Sequence, residues 1–310
     1  MQRLCANDMA VEPGRVVYTG LLNERGGYES DLTVTRLSGD AYFIVSGSAQ
    51  TTRDLDWIRR GIPPGARASL TDVTSAYAVF GVMGPSARTL LAGVAGADLG
   101  NEAFPFATMR DIGIGRAPVR ALRITYVGEL GWELYVPVEF APAVYDDLVR
   151  AGRDLGLRDA GYYALDSLRL EKGYRAWGRD IGPDRTPLEA GLAFAVRLDK
   201  PFTGREALVR QREQGLTQRL VQFVLDDPEP LLFGGELILR DGQSVGEVTS
   251  AAYGHTLGRA VALGWVRDAG GVDRATSEAG TYELDVGGER FAATAHLESP
   301  YDPKGARIRA

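Results

Sequence analysis

Three short segments of the sequence place carboxylates beside glycines and aromatic residues. In the first, Gly26 and Gly27 form a tight turn and Asp31 follows at the start of a strand-like run. A carboxylate that follows a glycine-rich turn is one of the side-chain types that can do chemistry. Aspartates also cap or terminate turns, and the local pattern alone favours that structural role.

The second segment, Tyr-Val-Gly-Glu-Leu-Gly-Trp-Glu, runs from Tyr126 to Glu133. It predicts two strands joined by a glycine-rich hairpin, with the phenol and the carboxylate at the strand ends. Because side chains alternate across a strand, Glu133 faces away from Trp132 and Leu134. Glu133 therefore faces either water or a polar cavity, and a solvated strand glutamate is the simpler alternative.

The third segment joins a helical stretch to an aromatic and charged loop. It reads Asp-Ser-Leu-Arg-Leu-Glu-Lys-Gly from Asp166, and Thr-Pro-Leu-Glu-Ala-Gly-Leu follows from Thr186. Charges with this spacing also occur on an ordinary salt-bridged helix face. Each segment is weak on its own, and only their order along the chain is informative.

The composition excludes several other chemistries. One cysteine and two histidines are too few for a disulfide framework, a thiolate metal site or a histidine-based metal cluster. The net charge of −6 supplies no basic surface for nucleic acid. Gly113 and Gly115 are not followed by the third glycine and the helix of a dinucleotide fingerprint. The P-loop, H-E-x-x-H and G-x-S-x-G patterns are also absent from the sequence.

The elements that must position these segments change in character along the chain. Strands and helices are mixed up to about residue 215, and short strands and hairpins follow. We therefore predict an α+β fold, with antiparallel sheets and helices in a domain at 1–215 and a β-barrel or jelly roll at 216–310. The strands are predicted at 33–37, 42–45, 79–83, 119–126, 132–136, 220–225, 236–240, 244–250, 261–266, 282–286 and 290–296. The helices are predicted at 51–60, 86–91, 139–151, 164–170 and 204–214.

The sequence carries no signal for a membrane or for secretion. Its longest apolar stretches are far shorter than a membrane span. Acidic Asp8 and Glu12 lie in the N-terminal segment, where a signal peptide would be basic and then apolar. We expect a cytoplasmic location, without membrane or nucleic-acid partners.

Taken in order, the three segments resemble the aminomethyltransferase family, whose members are similar to the glycine cleavage T-protein. The resemblance extends over nearly the whole chain and includes Gly-Glu-Val-Thr-Ser from Gly246 and Leu-Gly-Trp-Val from Leu263. Four segments are similar to the folate-binding C-terminal region of dimethylglycine and sarcosine dehydrogenases. They are Leu-Cys-Ala-Asn-Asp from Leu4, Gly-Arg-Val-Val-Tyr-Thr from Gly14, Leu-Asn-Glu-Arg-Gly-Gly from Leu22 and Ala-Leu-Asp-Ser from Ala164. T-proteins carry an arginine at the position of Leu165. Family members also have a further segment before the point that matches Met1, which this chain is expected to lack.

The resemblance implies a function in one-carbon metabolism. It implies transfer of an aminomethyl or methylene unit from an N-methyl amine, such as dimethylglycine or sarcosine, to tetrahydrofolate. The product would be 5,10-methylene-tetrahydrofolate, and the chain would be the folate half of a flavin-dependent demethylating dehydrogenase. FAD would be bound by a partner flavin dehydrogenase domain or subunit and not by this chain.

The resemblance also implies roles for individual residues. Asp31 would lie beside the reactive folate nitrogens as the catalytic residue. A carboxylate can accept the neighbouring N–H groups of a pterin ring in a paired hydrogen bond, and Glu133 is the candidate for this contact. The remaining cofactor-binding candidates are two aromatic residues near the ring and three cations for the anionic folate tail: Tyr126, Phe194, Arg169, Arg175 and Arg179.

Three alternatives share the resemblance. A T-protein of glycine cleavage would take the aminomethyl group from a lipoyl carrier protein. A folate-binding protein of iron–sulfur cluster maintenance would carry a K-G-C-Y-x-G-Q-E motif, but Lys172 and Gly173 are followed here by Tyr174 and not by cysteine. A non-catalytic folate module would only pack against a dehydrogenase.

Overall fold

The first three strands of the chain follow the alternation seen in the sequence. β1 (Val16–Leu22), β2 (Tyr28–Arg36) and β3 (Tyr42–Ser46) form one sheet in this order. Residues buried along β2 alternate with half-buried ones over most of its length, as expected for a strand covered unequally on its two faces. The predicted strands at 33–37 and 42–45 are confirmed, and the first of them begins earlier, at Tyr28.

The computed structural model describes residues 1–310 and separates into two compact units. The barrel unit contains Met1–Asp8, Thr19–Asp31 and Gly161–Lys304. The sheet unit contains Met9–Tyr18, Leu32–Ala160 and Gly305–Ala310. The chain therefore passes between the units several times.

In the sheet unit, a four-stranded antiparallel sheet has the strand order β4-β7-β6-β5. One face of this sheet is apolar and packs against the helices α2 and α3, with Val82, Trp132 and Leu134 in its core. Trp132 and Leu134 are completely buried. The elements of this unit are α1 (Thr51–Arg60), β4 (Tyr77–Met83), α2 (Ala87–Ala92), β5 (Met109–Ile114), β6 (Ala117–Leu122), β7 (Gly131–Pro137) and α3 (Ala141–Gly152).

In the barrel unit, six antiparallel strands close into a barrel with the order β10-β11-β8-β13-β12-β9. Phe223, Ile238 and Leu284 are fully buried in its core. Gly287 and Gly288 adopt φ values of +64° and +94° between the last two strands, which confirms the predicted tight hairpin. The elements of this unit are α4 (Tyr162–Glu171), α5 (Arg205–Gln214), β8 (Gln218–Leu225), β9 (Leu237–Arg240), β10 (Gln243–Gly254), β11 (Arg259–Arg267), α6 (Arg274–Glu278), β12 (Tyr282–Val286) and β13 (Glu289–His296).

The predicted α+β class with a C-terminal β-barrel is confirmed. The boundary near residue 216 between two domains stays a prediction. One predicted strand is wrong in its extent, because β6 ends at Leu122 and residues 123–130 form a bent loop. Within this loop the Val127 amide binds the Thr125 hydroxyl and Gly128 has a φ of +74°, both of which interrupt extended pairing. No helix has the length and apolar character that a membrane span requires.

Close packing of the barrel strands predicts that Gly246→Ala destabilises the protein. A Cβ atom on Gly246 would lie 1.6 Å from the carbonyl oxygen of Trp265, so the β10 or β11 backbone must shift. We expect a loss of about 3 kcal/mol in the free energy of unfolding. In Gly113→Ala, the matched control, the new methyl group meets open space and the change should stay below about 0.5 kcal/mol. Urea denaturation measures both, and equal stabilities would contradict the expectation.

Candidate functional site

Glu133 occupies a central strand of the sheet unit. It lies in β7 opposite Gly81 of β4 and Leu122 of β6. Its neighbours Trp132 and Leu134 point into the helix-covered core, so Glu133 projects from the opposite face of the sheet. The predicted alternation is therefore confirmed, and Glu133 is half-buried on its face.

The carboxylate of Glu133 is held by a neighbour on the same strand and the same face. The hydroxyl of Tyr135 donates a hydrogen bond of 2.7 Å to Glu133 Oε2. The ring of Tyr135 packs edge-on against Phe43, with 5.2 Å between ring centroids, and against Tyr77 at 6.5 Å. Sequence reasoning missed Tyr135, although its two-residue spacing from Glu133 places both side chains on one face.

Burial shifts the pKa of both groups of this pair. It raises the pKa of the Glu133 carboxyl, and the hydrogen bond from Tyr135 lowers it in part. Burial, together with the carboxylate of Glu133, raises the pKa of the Tyr135 hydroxyl, which therefore remains a hydrogen-bond donor at neutral pH.

One oxygen of the Glu133 carboxylate makes no hydrogen bond. Oε2 is occupied by Tyr135, whereas Oε1 has no partner in the structure. The cross-strand neighbour Gly81 is exposed and has no side chain, and Val79 beside it is 52% exposed. The arrangement can therefore accept hydrogen bonds from an external donor with N–H groups.

Tyr126 also belongs to the sheet unit, but it lies in the bent loop and not on a strand. It is half-buried there. The loop is fixed at Thr125, whose hydroxyl accepts from the Val127 amide and lies 3.6 Å from the Met83 sulfur.

Asp31 lies on β2 at the end of the barrel unit's second segment, and it is half-buried. The hairpin before β2 is built on Asn23, whose side-chain oxygen accepts from the Arg25 and Gly27 amides. Gly27 admits no side chain, because a Cβ atom there would lie 1.9 Å from the Pro183 carbonyl oxygen. The predicted glycine turn is confirmed, and it sets where β2 begins.

A second residue that sequence reasoning missed accompanies Asp31. Tyr28 is completely buried, and its hydroxyl has no hydrogen-bond partner. Burial raises the pKa of Tyr28, the charge of Asp31 raises it further, and the guanidinium of Arg175 opposes the rise. The Tyr28 backbone is fixed through its carbonyl oxygen, which accepts from the Trp177 indole at 3.2 Å. The sequence signal was its position inside the Gly-Gly-to-Asp motif.

Arg169 is completely buried in the barrel unit. Its guanidinium donates to Asp180 at 2.7 Å, to Asp166 at 3.1 Å and to the Ser250 hydroxyl at 3.0 Å. The Tyr174 carbonyl accepts a further bond at 3.0 Å. This pairing favours a structural role for Arg169.

The other cation and aromatic candidates differ in exposure. Arg175 is half-buried and donates to the Ala190 and Gly173 carbonyls. Arg179 is exposed, with a 3.4 Å contact to Asp166. Phe194 is 70% exposed in a short helical turn, Ala193–Ala195. The ligand-binding roles of these residues stay predictions.

The candidates fall into two groups. Asp31, Tyr28 and Arg175 belong to the barrel unit, whereas Tyr126 and Glu133 belong to the sheet unit. Their convergence on one cavity stays a prediction. No group of three or more histidine, cysteine, aspartate or glutamate side chains is placed to hold a metal ion.

Comparison with known proteins identifies the family. A model of the GCVT N-terminal domain matches residues 1–200, and a model of the glycine cleavage T-protein C-terminal barrel domain matches residues 218–302. This chain belongs to the glycine cleavage T-protein family. The two family models thereby confirm the predicted resemblance to the aminomethyltransferase family.

Two curated relatives of this T-protein family member are dehydrogenases with longer chains. The mitochondrial sarcosine dehydrogenase of Homo sapiens is 41% identical over 324 residues, covering 99% of this chain and 35% of the relative. The mitochondrial dimethylglycine dehydrogenase of Rattus norvegicus is 36% identical over 271 residues, covering 86% and 31%. The chain thus spans about a third of the length of these relatives.

A solved structure of an aminomethyltransferase has the same fold as this chain. The glycine cleavage system aminomethyltransferase T from Bartonella henselae superposes with a TM-score of 0.82 at 26% identity. The match covers 95% of this chain and 78% of that one. The aminomethyltransferase-type fold therefore extends over nearly all of the chain.

The buried ion pair of Arg169 predicts a large effect on stability. Arg169→Leu leaves the completely buried Asp180 without its cation, which should lower the free energy of unfolding by about 3–5 kcal/mol. Arg179→Leu, the control, removes a solvent-exposed arginine and should change it by less than about 1 kcal/mol. Urea denaturation compares the two variants. Equal, small losses would show that Arg169 does not hold the barrel unit together.

Proposed function

We propose that this chain binds reduced folate and delivers to it a one-carbon unit from an N-methyl amine. The observation that carries the proposal is the half-buried carboxylate of Glu133, which keeps one oxygen without a hydrogen bond. Membership of the T-protein family supports it.

Glu133 would hold the pterin ring. Its two acceptor oxygens suit a heterocycle that presents a ring N–H beside an exocyclic amino group. A hydrogen bond to a charged group contributes about 1.5–3 kcal/mol, which is large enough to orient a ligand. Tyr126 and Phe194 would add aromatic contact, and the exposed Arg179 would attract the anionic tail.

Asp31 would act on the reacting atoms. When bound, reduced folate supplies two amine nitrogens that together hold a methylene group. The carboxylate of Asp31 would stabilise the cationic donor and accept the proton that the attacking nitrogen loses. The unpartnered hydroxyl of Tyr28 in the same unit fits a site that completes its hydrogen bonds with a ligand or water.

The names of two relatives support the choice of donor. Sarcosine and dimethylglycine dehydrogenases are named for N-methyl amino acids, so we infer that this chain takes the unit that such an oxidation releases. A flavin dehydrogenase domain or subunit outside this chain would perform the oxidation.

A second candidate function is the aminomethyl transfer of glycine cleavage. The observation in its favour is the likeness to aminomethyltransferase T over 95% of this chain. Incubation with tetrahydrofolate and an aminomethylated lipoyl carrier separates the two functions, because ammonia release would favour the glycine-cleavage reaction.

Glu133→Gln should weaken tetrahydrofolate binding by about tenfold or more, since the amide keeps one acceptor oxygen and presents a donor toward the ligand. Anaerobic titration calorimetry measures the Kd. Glu139→Gln, a change at an exposed glutamate just beyond β7, is the control and should bind like the wild type.

The pH dependence of binding gives a second readout. Wild-type binding should weaken as the pH falls, because the Glu133 carboxylate becomes protonated. Since burial raises the pKa of Glu133, this loss should begin at a pH above 4.5, the ordinary pKa of a glutamate. Binding that is equally tight in Glu133→Gln and wild type would contradict the assignment of Glu133 to the pterin ring.

Asp31→Asn should slow the transfer by about 100-fold or more while the tetrahydrofolate Kd changes by less than about threefold. The assay follows the reverse reaction for a dimethylglycine donor, because a catalyst accelerates both directions. In this direction sarcosine takes the methylene group of 5,10-methylene-tetrahydrofolate as an iminium, and tetrahydrofolate is released. Asp40→Asn, at an exposed turn, is the control. Unchanged turnover in Asp31→Asn would remove Asp31 from the mechanism.

A further inference from the structure

Tyr135 contributes a polar contact that the proposed function does not use. Its hydroxyl donates to Glu133 Oε2 at 2.7 Å, within the range of a strong hydrogen bond to a carboxylate. Tyr135 itself is 4% exposed, so its hydroxyl is largely shielded from competing water. The contact therefore fixes one carboxylate oxygen from inside the protein.

The ring that carries this hydroxyl is held on several sides. Tyr135 pairs across the sheet with Val79 and Arg120. Phe43 meets the ring edge-on, with 88° between the ring planes, and Tyr77 meets it at 78°. A side chain enclosed in this way keeps one rotamer, so its hydroxyl stays at a fixed place over the β7 strand.

Holding Oε2 also fixes the direction of Oε1. The carboxylate is planar, so a bond to one oxygen restricts rotation about the last side-chain torsion of glutamate. Glu133 Oε1 then remains the oxygen without a hydrogen bond. A site holds a ligand accurately when a supporting residue locks the side chain that touches the ligand.

We propose that Tyr135 is a positioning residue, which orients the Glu133 carboxylate to accept the paired N–H groups of a 2-amino-4-oxo-pyrimidine ring. The inference rests on the proposed function and names the group that makes its ligand contact specific. Tyr135 touches no ligand itself and acts through Glu133.

The charged and titratable groups around Glu133 leave Tyr135 as its polar partner. Tyr77 of β4 contacts the ring of Tyr135. Arg120 of β6 lies over the Phe43 ring at 5.1 Å and pairs with Asp111 at 3.1 Å. Removal of the Tyr135 hydroxyl should therefore raise the pKa of Glu133, because burial then acts unopposed.

The test compares Tyr135→Phe with Tyr77→Phe by titration with tetrahydrofolate across a range of pH. Tyr135→Phe keeps the ring and loses the hydroxyl, and it should raise the Kd about tenfold at neutral pH. The pH at which binding is half lost should also move upward, since Glu133 becomes protonated more readily. Tyr77→Phe removes a hydroxyl from the same aromatic cluster without touching Glu133, and it should leave both quantities unchanged.

Three results would overturn the inference. A wild-type Kd and an unshifted pH midpoint in Tyr135→Phe, with weakened binding in Glu133→Gln, would remove Tyr135 and leave the proposed function standing. Equal weakening in Tyr135→Phe and Tyr77→Phe, with lowered thermal stability in both, would assign the effect to packing. Wild-type binding in Glu133→Gln would overturn the proposed contact and the inference together.

Discussion

A carboxylate in the middle of an antiparallel sheet is the feature on which the rest of the candidate site depends. Burial of a charged group costs free energy unless hydrogen bonds or an opposite charge compensate it. At Glu133 the compensation is incomplete, since Tyr135 serves one oxygen and nothing in the protein serves the other. A group kept in this state on a rigid strand suits the binding of a ligand better than it suits the stability of the sheet.

Other buried acids of the chain show what structural carboxylates look like here. Asp180 binds Arg169, the Ala176 amide and the Thr249 hydroxyl, so both of its oxygens are occupied. Glu189 accepts from the Thr186 amide and from Gln218. Glu171 does leave Oε2 without a partner, but that oxygen is sealed from solvent. Glu133 differs because its unpaired oxygen lies on a half-open face.

The sequence was sufficient for the features that depend on local pattern. Period-two alternation placed Glu133 on the face opposite Trp132, and paired glycines located the hairpins before Asp31 and at Gly287. The sequence did not predict Tyr28 and Tyr135 as site residues, because their roles depend on what surrounds each hydroxyl. Only the folded chain supplies those surroundings. The loop at Tyr126 was not predicted for a related reason. The bond from the Val127 amide to the Thr125 hydroxyl and the positive φ of Gly128 belong to a bend that the apolar pattern does not signal.

The three arginines illustrate the same limit of sequence patterns, because their charges are identical and their surroundings are not. A guanidinium that is fully enclosed and bonded to two carboxylates, as in Arg169, cannot meet an external anion without breaking the core. Arg175 is oriented by two backbone carbonyls, which fixes its position. Arg179 is mainly in solvent, where a flexible cation can follow an anionic tail of variable length at little desolvation cost. Of the three, Arg179 is therefore the one whose surroundings suit contact with a folate tail.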